Sequence, residues 1–377
     1  MVIIRDRFWR PNNRILGDSG MDKYIGFDID DKKTVVCVVQ SGKKEIYDTI
    51  PTDVAAMRRW LKRERKRGCR LHLTFEVSGQ AGWLYDGLID SVDTLTVSNP
   101  SKMTWIYRTA KKTDRIDARK QAVLLQIGEI PKVHMPGKDI RQWRLQIQHR
   151  RKLISSRTQT KNRIRMLIKN HGYRQPEHGG SWWKKANRNW MVKLTESVSD
   201  SWSETLLDFL DQLGLYEHQV DRLTEKLDKR LSSNAGAGLL QTIPGVGPRT
   251  AEAVLAYTDE IERFRRGKEY CSYFGMTPKL DESGSTRRLG HISKQGPSVV
   301  RWLIVEGAWR AIRKSPSLLS FYERVRHGQD KRKKIAIVAT ARKMLSIMRA
   351  MQMTGEVFNE QLVLEQEHMT FAKELSA

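Results

Sequence analysis

Cysteine is scarce: Cys37, Cys69 and Cys271 are the three in 377 residues, far apart and in no C-x-x-C pair. That excludes a disulfide framework and a thiolate zinc site, and reads all three as reduced bystanders. Histidine is thin as well, with nine scattered residues and no H-E-x-x-H pair, so a histidine metal centre lacks its ligand spacing. No apolar run approaches the roughly 18 residues of a membrane-spanning helix. Arg5, Asp6, Arg7 and Arg10 interrupt Met1 to Gly20, which speaks against a signal peptide. The expectation is a soluble cytoplasmic chain with no membrane partner. Acids are the other shortage, 43 Asp and Glu against 68 Lys and Arg, for a formal net charge of +25. At 39% hydrophobic the chain has enough apolar residues for two or three packed domains.

The positive charge is uneven. From Arg141 to Trp190 there are 14 Lys and Arg against one acid, Glu177. A surface this dense in one sign repels itself unless phosphates neutralise it, so the stretch points to nucleic acid rather than a merely solvated helix face. Arg150, Arg151, Lys152, Arg157, Lys161, Arg163, Arg165, Lys184 and Lys185 are its candidate phosphate ligands, with Arg287 and Arg288 further on. Trp182, Trp183, Trp190 and Trp202 lie among these cations, either as platforms for unpaired bases or as a small core. Beyond Gly355 the sign reverses, five Glu against Lys373, which reads as an exposed acidic end.

Hydrophobic patterning divides the chain. Tyr24–Ile29, Thr34–Val39 and Glu45–Ile50 are short β-type runs separated by turn residues, an antiparallel meander. A basic helix over about Asp53–Lys66, a strand Leu71–Phe75 ending at Glu76, a helix, a short strand Leu95–Ser98 and one long helical stretch over Ser101–Ile127 follow. This is a mixed α/β layout of the RNase H type. The middle is helical: Leu206, Leu213, Val220 and Leu227 recur every seventh residue, a pattern that serves a dimer seam or packing within the chain equally well. After a Gly-rich boundary at Ser232–Gly238, Ile243-Pro244-Gly245-Val246-Gly247-Pro248 leads into a helix, either a phosphate-binding hairpin or a structural turn.

Two constellations carry chemistry. Asp28 lies in the first strand, Glu76 ends a later one, and Asp114 and Asp117 share a helix face three residues apart. Carboxylates gathered about 4 Å apart repel by roughly 4 kcal/mol at an effective dielectric near 20, so such a cluster takes up a cation, and Mg²⁺ suits oxygen donors. The plainer reading pairs Asp114 and Asp117 with nearby Lys111, Arg115 or Arg119, and Asp30 competes with Asp28 for the strand position. The second constellation is the segment Thr277–Arg288 with Ser283, read as a Gly-containing loop that sets hydroxyls beside cations.

Ile25-Gly26-Phe27-Asp28, Phe75-Glu76-Val77-Ser78-Gly79, Thr113-Asp114-Arg115-Ile116-Asp117-Ala118-Arg119, Ile243-Pro244-Gly245-Val246-Gly247 and Glu282-Ser283-Gly284-Ser285 occur in the order that resembles the DEDD insertion-sequence transposases. That family is related to the Piv DNA invertases and includes bridge-RNA-guided recombinases. The resemblance spans about Tyr24 to Phe358. It implies an α/β plus all-α fold: a RuvC-like N-terminal domain, a long helical coiled-coil connector and a mainly helical C-terminal transposase domain. It implies Mg²⁺ held by Asp28, Glu76, Asp114 and Asp117, and Ser283 as the nucleophile that cuts and rejoins DNA. It also implies double-stranded donor and target DNA, a bridge RNA, and a homo-oligomer from dimer to tetramer as partners. The corresponding division is 1–20 as an extension, 21–135 as the metal-binding domain, 136–235 as the connector, 236–358 as the transposase domain and 359–377 as the acidic tail. Met21 then reads as the start of translation, and His171 to Ser203 falls outside the resemblance. The alternative is a RuvC-like metal-dependent nuclease without a covalent intermediate.

Overall fold

The computed structural model describes residues 21–106, 113–175, 180–196, 201–283 and 286–365. The chain forms two compact units, one running to Arg141 and one from Gln142.

In the first unit, Lys23–Ile29 (β1), Lys33–Val39 (β2) and Ile46–Pro51 (β3) form the antiparallel meander. Val54–Glu64 (α1) follows, its N-terminus capped by Asp53, whose carboxylate accepts from the Ala56 amide at 2.8 Å. Then come Leu71–Glu76 (β4), Ala81–Leu88 (α2), Thr94–Ser98 (β5), Pro100–Ile106 (α3) and Asp114–Gln126 (α4). The strand order is β3-β2-β1-β4-β5, with β4 parallel to β1 and β5 parallel to β4. One sheet face buries Ile25, Phe27, Leu73 and Phe75 together with Met57 and Leu61 of α1 and Leu84 and Leu88 of α2. The other buries Tyr24, Val35, Cys37 and Val39 with Ala118 and Ala122 of α4.

That second face depends on Gly26. A Cβ there would lie 2.1 Å from the Ala118 carbonyl oxygen and 2.7 Å from the Ala122 nitrogen, so α4 rests directly on the backbone of β1. The helical stretch expected over Ser101–Ile127 is interrupted. Thr113 is extended, and its hydroxyl accepts from the Ile116 amide at 3.3 Å, so α4 begins at Asp114. A competent N-cap ends the propagation that hydrophobic spacing alone predicts.

Lys138–Asn170 (α5), within which the unit boundary falls, is followed by Lys185–Glu196 (α6), Ser201–Ser232 (α7), Ala235–Gln241 (α8), Pro248–Thr258 (α9) and Gly267–Tyr273 (α10). Pro278–Ser283 (β6) and Thr286–Ile292 (β7) precede Ser298–Ala311 (α11), Pro316–Arg326 (α12) and Lys333–Thr354 (α13). The heptad positions of α7 are filled from within the chain: Leu206 and Leu213 are buried with Ile164 and Ile168 of α5 and Met191 of α6. The tryptophans join the same cluster, Trp202 buried and Trp182, Trp183 and Trp190 partly so, which is the small-core reading rather than the base platform. The acidic end is anchored in its described part. The Glu360 carboxylate accepts from the Ser317 amide at 2.6 Å and from the Ser315 hydroxyl at 2.8 Å, and Val363 is buried. Among the described residues, no helix is long and apolar enough to cross a membrane.

Gly26→Ala is expected to cost about 1–3 kcal/mol of stability or more, since backbone rather than a flexible side chain must retreat. A Cβ at Gly137 meets nothing within 4 Å, so Gly137→Ala should leave the urea midpoint nearly unchanged.

Candidate functional site

Side chains alternate along a strand. Phe27 and Phe75 are register partners on parallel β1 and β4 and both enter the core under α1 and α2. Asp28 and Glu76, each one residue on, therefore turn to the α4 face at the carboxyl ends of adjacent strands. Thr74, two residues before Glu76, confirms that face by its hydroxyl hydrogen bond to Gln121 of α4 at 3.3 Å. The helix runs antiparallel to β1. At its far end Gln126 reaches Ser41, just beyond β2, at 3.4 Å; at its start Asp114 meets Lys33, which opens β2, at 3.2 Å. Asp114 and Asp117, in the first turn of α4, thus lie at the Asp28 end of the sheet, and their charges suit the helix dipole. Asp30 is past the strand. Its amide closes the β1–β2 turn on the Lys33 carbonyl at 3.0 Å, which leaves Asp28 as the carboxylate presented from β1.

The four acids share one side and one end of the sheet, but their side chains are not gathered. Among the described residues, no three His, Cys, Asp or Glu are grouped as a metal ion needs. Lys33 is paired with Asp114, and Lys120 sits 3.0 Å from Asp117. Of the basic residues the sequence offered these acids, Lys111 lies outside the described residues, Arg119 bonds Glu45 at 2.7 Å, and Arg115 lies over the Tyr47 ring at 4.5 Å. An all-oxygen donor set with this placement suits a hard divalent ion in kind, provided the two lysines yield.

The segment read as a serine loop is a hairpin. β6 and β7 pair antiparallel, with Ser283 opposite Thr286, Glu282 opposite Arg287 and Asp281 opposite Arg288. Residues 284 and 285 and the side chains of Ser283 and Arg287 lie outside the described residues, while Arg288 is exposed. The base of the hairpin is cinched at two glycines: a Cβ on Gly275 would lie 2.1 Å from the Gln295 carbonyl oxygen, and one on Gly296 equally close to that of Tyr273. Arg301 of α11 donates to the carbonyls of Phe274, at 3.2 Å, and Gly296, at 3.0 Å, and to that of Gln295. No motif marks Arg301, because its partners are backbone oxygens. Gly26 did carry a signal, a glycine inside a β-rich run.

The cations of α5 fall into two groups. Arg163, Arg165 and Lys152 are exposed, as are Lys184 and Lys185 beyond the helix. Arg150 donates to the Thr224 hydroxyl at 2.7 Å, Arg151 to Ser298 at 3.2 Å, and the Nε of Arg157 is buried without a hydrogen-bond partner. Lys161 is committed to structure, 3.2 Å from Glu217 and 5.0 Å from the Trp183 ring centroid. Arg188 clamps the same carboxylate with two bonds of 2.6 and 2.7 Å. These Arg188 bonds, aided by Lys161 and opposed by desolvation, hold the Glu217 carboxyl below the ordinary range. All three cysteines are buried, and burial pushes the Cys37 thiol up to about 11 and the Cys271 thiol upward as well.

Comparison with known proteins gives two family matches, a DEDD-type IS110 transposase over residues 25–172 and "Transposase IS116/IS110/IS902 family" over 237–323. A probable family 20 transposase of Pseudomonas aeruginosa is 26% identical over 61% of this chain and 69% of its own length. The transposase for insertion sequence element IS1111A of Coxiella burnetii is 28% identical over 55% of this chain, and the match spans 57% of that protein. The pilin gene-inverting protein of Moraxella lacunata is 25% identical over 80% of this chain and 86% of its own.

Glu217→Gln is expected to destabilise the α5–α6–α7 cluster by about 1–3 kcal/mol at neutral pH, as a charge-assisted bidentate bond is lost. The carboxyl is depressed in the folded state, so its contribution is whole above the unfolded-state carboxylate range and disappears as pH falls through the lower folded value. The stability gap between the two proteins should therefore close in acid; a gap that persists there would refute the ion-pair account.

Proposed function

We propose that this chain is an IS110-type insertion-sequence transposase, an enzyme that recombines DNA, and that it cuts and rejoins DNA through Ser283 with a divalent cation at Asp28, Glu76, Asp114 and Asp117. The observation that carries this reading is the placement of the four acids on one side of the sheet, at the ends of β1 and β4 and in the first turn of α4. The strand order β3-β2-β1-β4-β5, with only the first three strands antiparallel, supports an RNase H-type, RuvC-like domain.

In this mechanism the Ser283 Oγ loses its proton to a base and attacks a backbone phosphorus, forming an Oγ–P bond as the P–O bond to one DNA end breaks. The freed deoxyribose hydroxyl leaves with a proton. Rejoining reverses the step, with a hydroxyl from the partner strand displacing the serine. Mg²⁺, when bound, supplies charge stabilisation to the oxygens around that phosphorus. Asp28, Glu76, Asp114 and Asp117 would hold it with Lys33 and Lys120 released from Asp114 and Asp117, and Arg301 braces the base of the hairpin that carries Ser283. Arg287 and Arg288, on the second strand of the hairpin, would meet backbone phosphates.

The DNA partners are double-stranded donor and target, and the exposed cations Arg163, Arg165, Lys184 and Lys185 contribute sequence-independent grip, also suited to a structured bridge RNA. Sequence choice then comes from base pairing by that RNA rather than from protein side chains. Dimers or tetramers supply the paired half-sites that strand exchange needs, in the cytoplasm where the DNA lies.

Ser283→Ala should lower strand exchange by roughly 10³-fold or more and abolish the covalent protein–DNA adduct. Asp114→Asn should suppress cleavage and weaken divalent-ion binding measured by calorimetry. Undiminished metal-dependent nicking by Ser283→Ala, with no adduct in the unaltered protein, would establish the nuclease reading instead.

A further inference from the structure

The second unit contains a cavity of about 320 Å³ lined by α5, α7, α9 and α11 and by the turn before α9. That turn is there by necessity of packing. Gly245 has φ +85° and a Cβ on it would lie 2.4 Å from the Gly307 carbonyl oxygen of α11, so the turn acts as a wall for the cavity. Ile147, Ile154, Leu227 and Val299 give the lining an apolar character, and Trp302 stands at the side, 49% exposed. Four arginines line the same space: Arg150, Arg151, Arg249 and Arg310.

Their pairing is unequal. Arg249 is bound to Asp228 and lies 2.9 Å from Glu252, which is itself buried and accepts from the Trp143 indole at 3.1 Å. Arg150, Arg151 and Arg310 have no carboxylate within ion-pair distance among the described residues. The other acid in the lining, Glu306, is exposed and leaves the rim positive. Arg150 is steered by Thr224, and the Arg151 guanidinium lies 5.4 Å from the Trp302 ring centroid. A partly apolar cavity with a half-exposed indole and three arginines not ion-paired among the described residues matches a nucleobase with its flanking phosphates. Unpaired bases splay into such pockets, stack on aromatic and guanidinium planes, and leave their backbone on cations. The volume is at the lower end of small-ligand pockets, suited to one nucleotide. A neighbouring cavity of about 630 Å³ also includes Arg151 and Val299 and continues past Arg144, Lys152 and Tyr257, offering a positive path for the adjoining strand.

We infer that this cavity receives one unpaired nucleotide of a bound nucleic acid, its base stacked on Trp302 and its phosphates on Arg150, Arg151 and Arg310. The inference rests on the nucleic-acid binding proposed above and is independent of Ser283 and of the acids. The test uses the full chain with short single-stranded DNA and RNA carrying 2-aminopurine between pyrimidines, and the same analogue in a duplex. Single strands should show fluorescence quenching on binding, the paired duplex none, and the DNA and RNA arms report which strand the cavity prefers. Trp302→Ala should abolish the quenching and weaken single-strand affinity about tenfold, the loss of one stacked base. Trp302→Phe should recover most of that affinity, Arg310→Gln should weaken it several-fold, and Trp83→Ala, an exposed tryptophan of the first unit, should change nothing.

Equal quenching in the duplex, or unchanged affinity and quenching in both Trp302→Ala and Arg310→Gln, would overturn the assignment. A shift in oligomeric state with no change in binding would give the cavity to a second copy of the chain. If nucleic acid binds tightly but Trp302 is silent, this inference alone fails; if none binds, the function proposed above fails with it.

Discussion

The hydrogen atom that serves as the side chain of Gly26 is what the first unit is built around. Because no Cβ stands there, the carbonyl of Ala118 and the amide of Ala122 lie on the strand itself, and α4 settles at backbone distance across β1. Gln126 against Ser41 and Lys33 against Asp114 mark the direction of the helix. Helix direction and strand alternation together decide where four carboxylates go, although those residues are separated by up to 89 positions in the chain. A helix held further off by a larger residue would carry Asp114 and Asp117 away from Asp28 and Glu76.

The same close approach recurs in the second unit, where Gly245 lies on the backbone of Gly307 and, as in the first unit, a glycine lets a turn or strand meet a helix without side chains between them. Around these contacts the excess of positive charge is sorted by depth. Arg144 donates to the Ala256 carbonyl at 2.7 Å and Arg188 to Glu217, so part of the basic stretch holds helices together. Arg163 and Arg165 remain in solvent. A net charge of +25 therefore overstates the surface available to phosphates, since buried guanidinium groups cost desolvation and are retained where carbonyls or carboxylates repay it.

Local chemistry misled where one residue changed the outcome. Hydrophobic spacing continued through Thr113, but its hydroxyl could cap a helix and did, which moved Asp114 and Asp117 from a helix interior to a first turn. Ser, Gly and Arg around Ser283 suggested a loop, whereas the backbone there pairs as two antiparallel strands. Trp182, Trp190 and Trp202 sit among cations in the chain, but the burial of Ile164, Ile168 and Met191 required partners, and the indoles supplied them. Glu360 looked like part of a free acidic end until Ser315 and Ser317 offered it donors at the start of α12.

The amino-acid order by itself determined the meander, the parallel strand that ends at Glu76, the predominance of helix after Lys138, and the residue types available for cation and phosphate chemistry. Alternation and 3.6-residue spacing are local properties, legible without a partner. Tertiary structure alone decided that Asp28 rather than Asp30 is presented from β1, that Lys33 and Lys120 occupy two of the acids, and that Arg301 secures the hairpin. It also decided that a leucine heptad is filled by its own chain. Each of these outcomes is a contact between residues distant in sequence, and no local pattern specifies which distant atom will fill a given donor, acceptor or hydrophobic face.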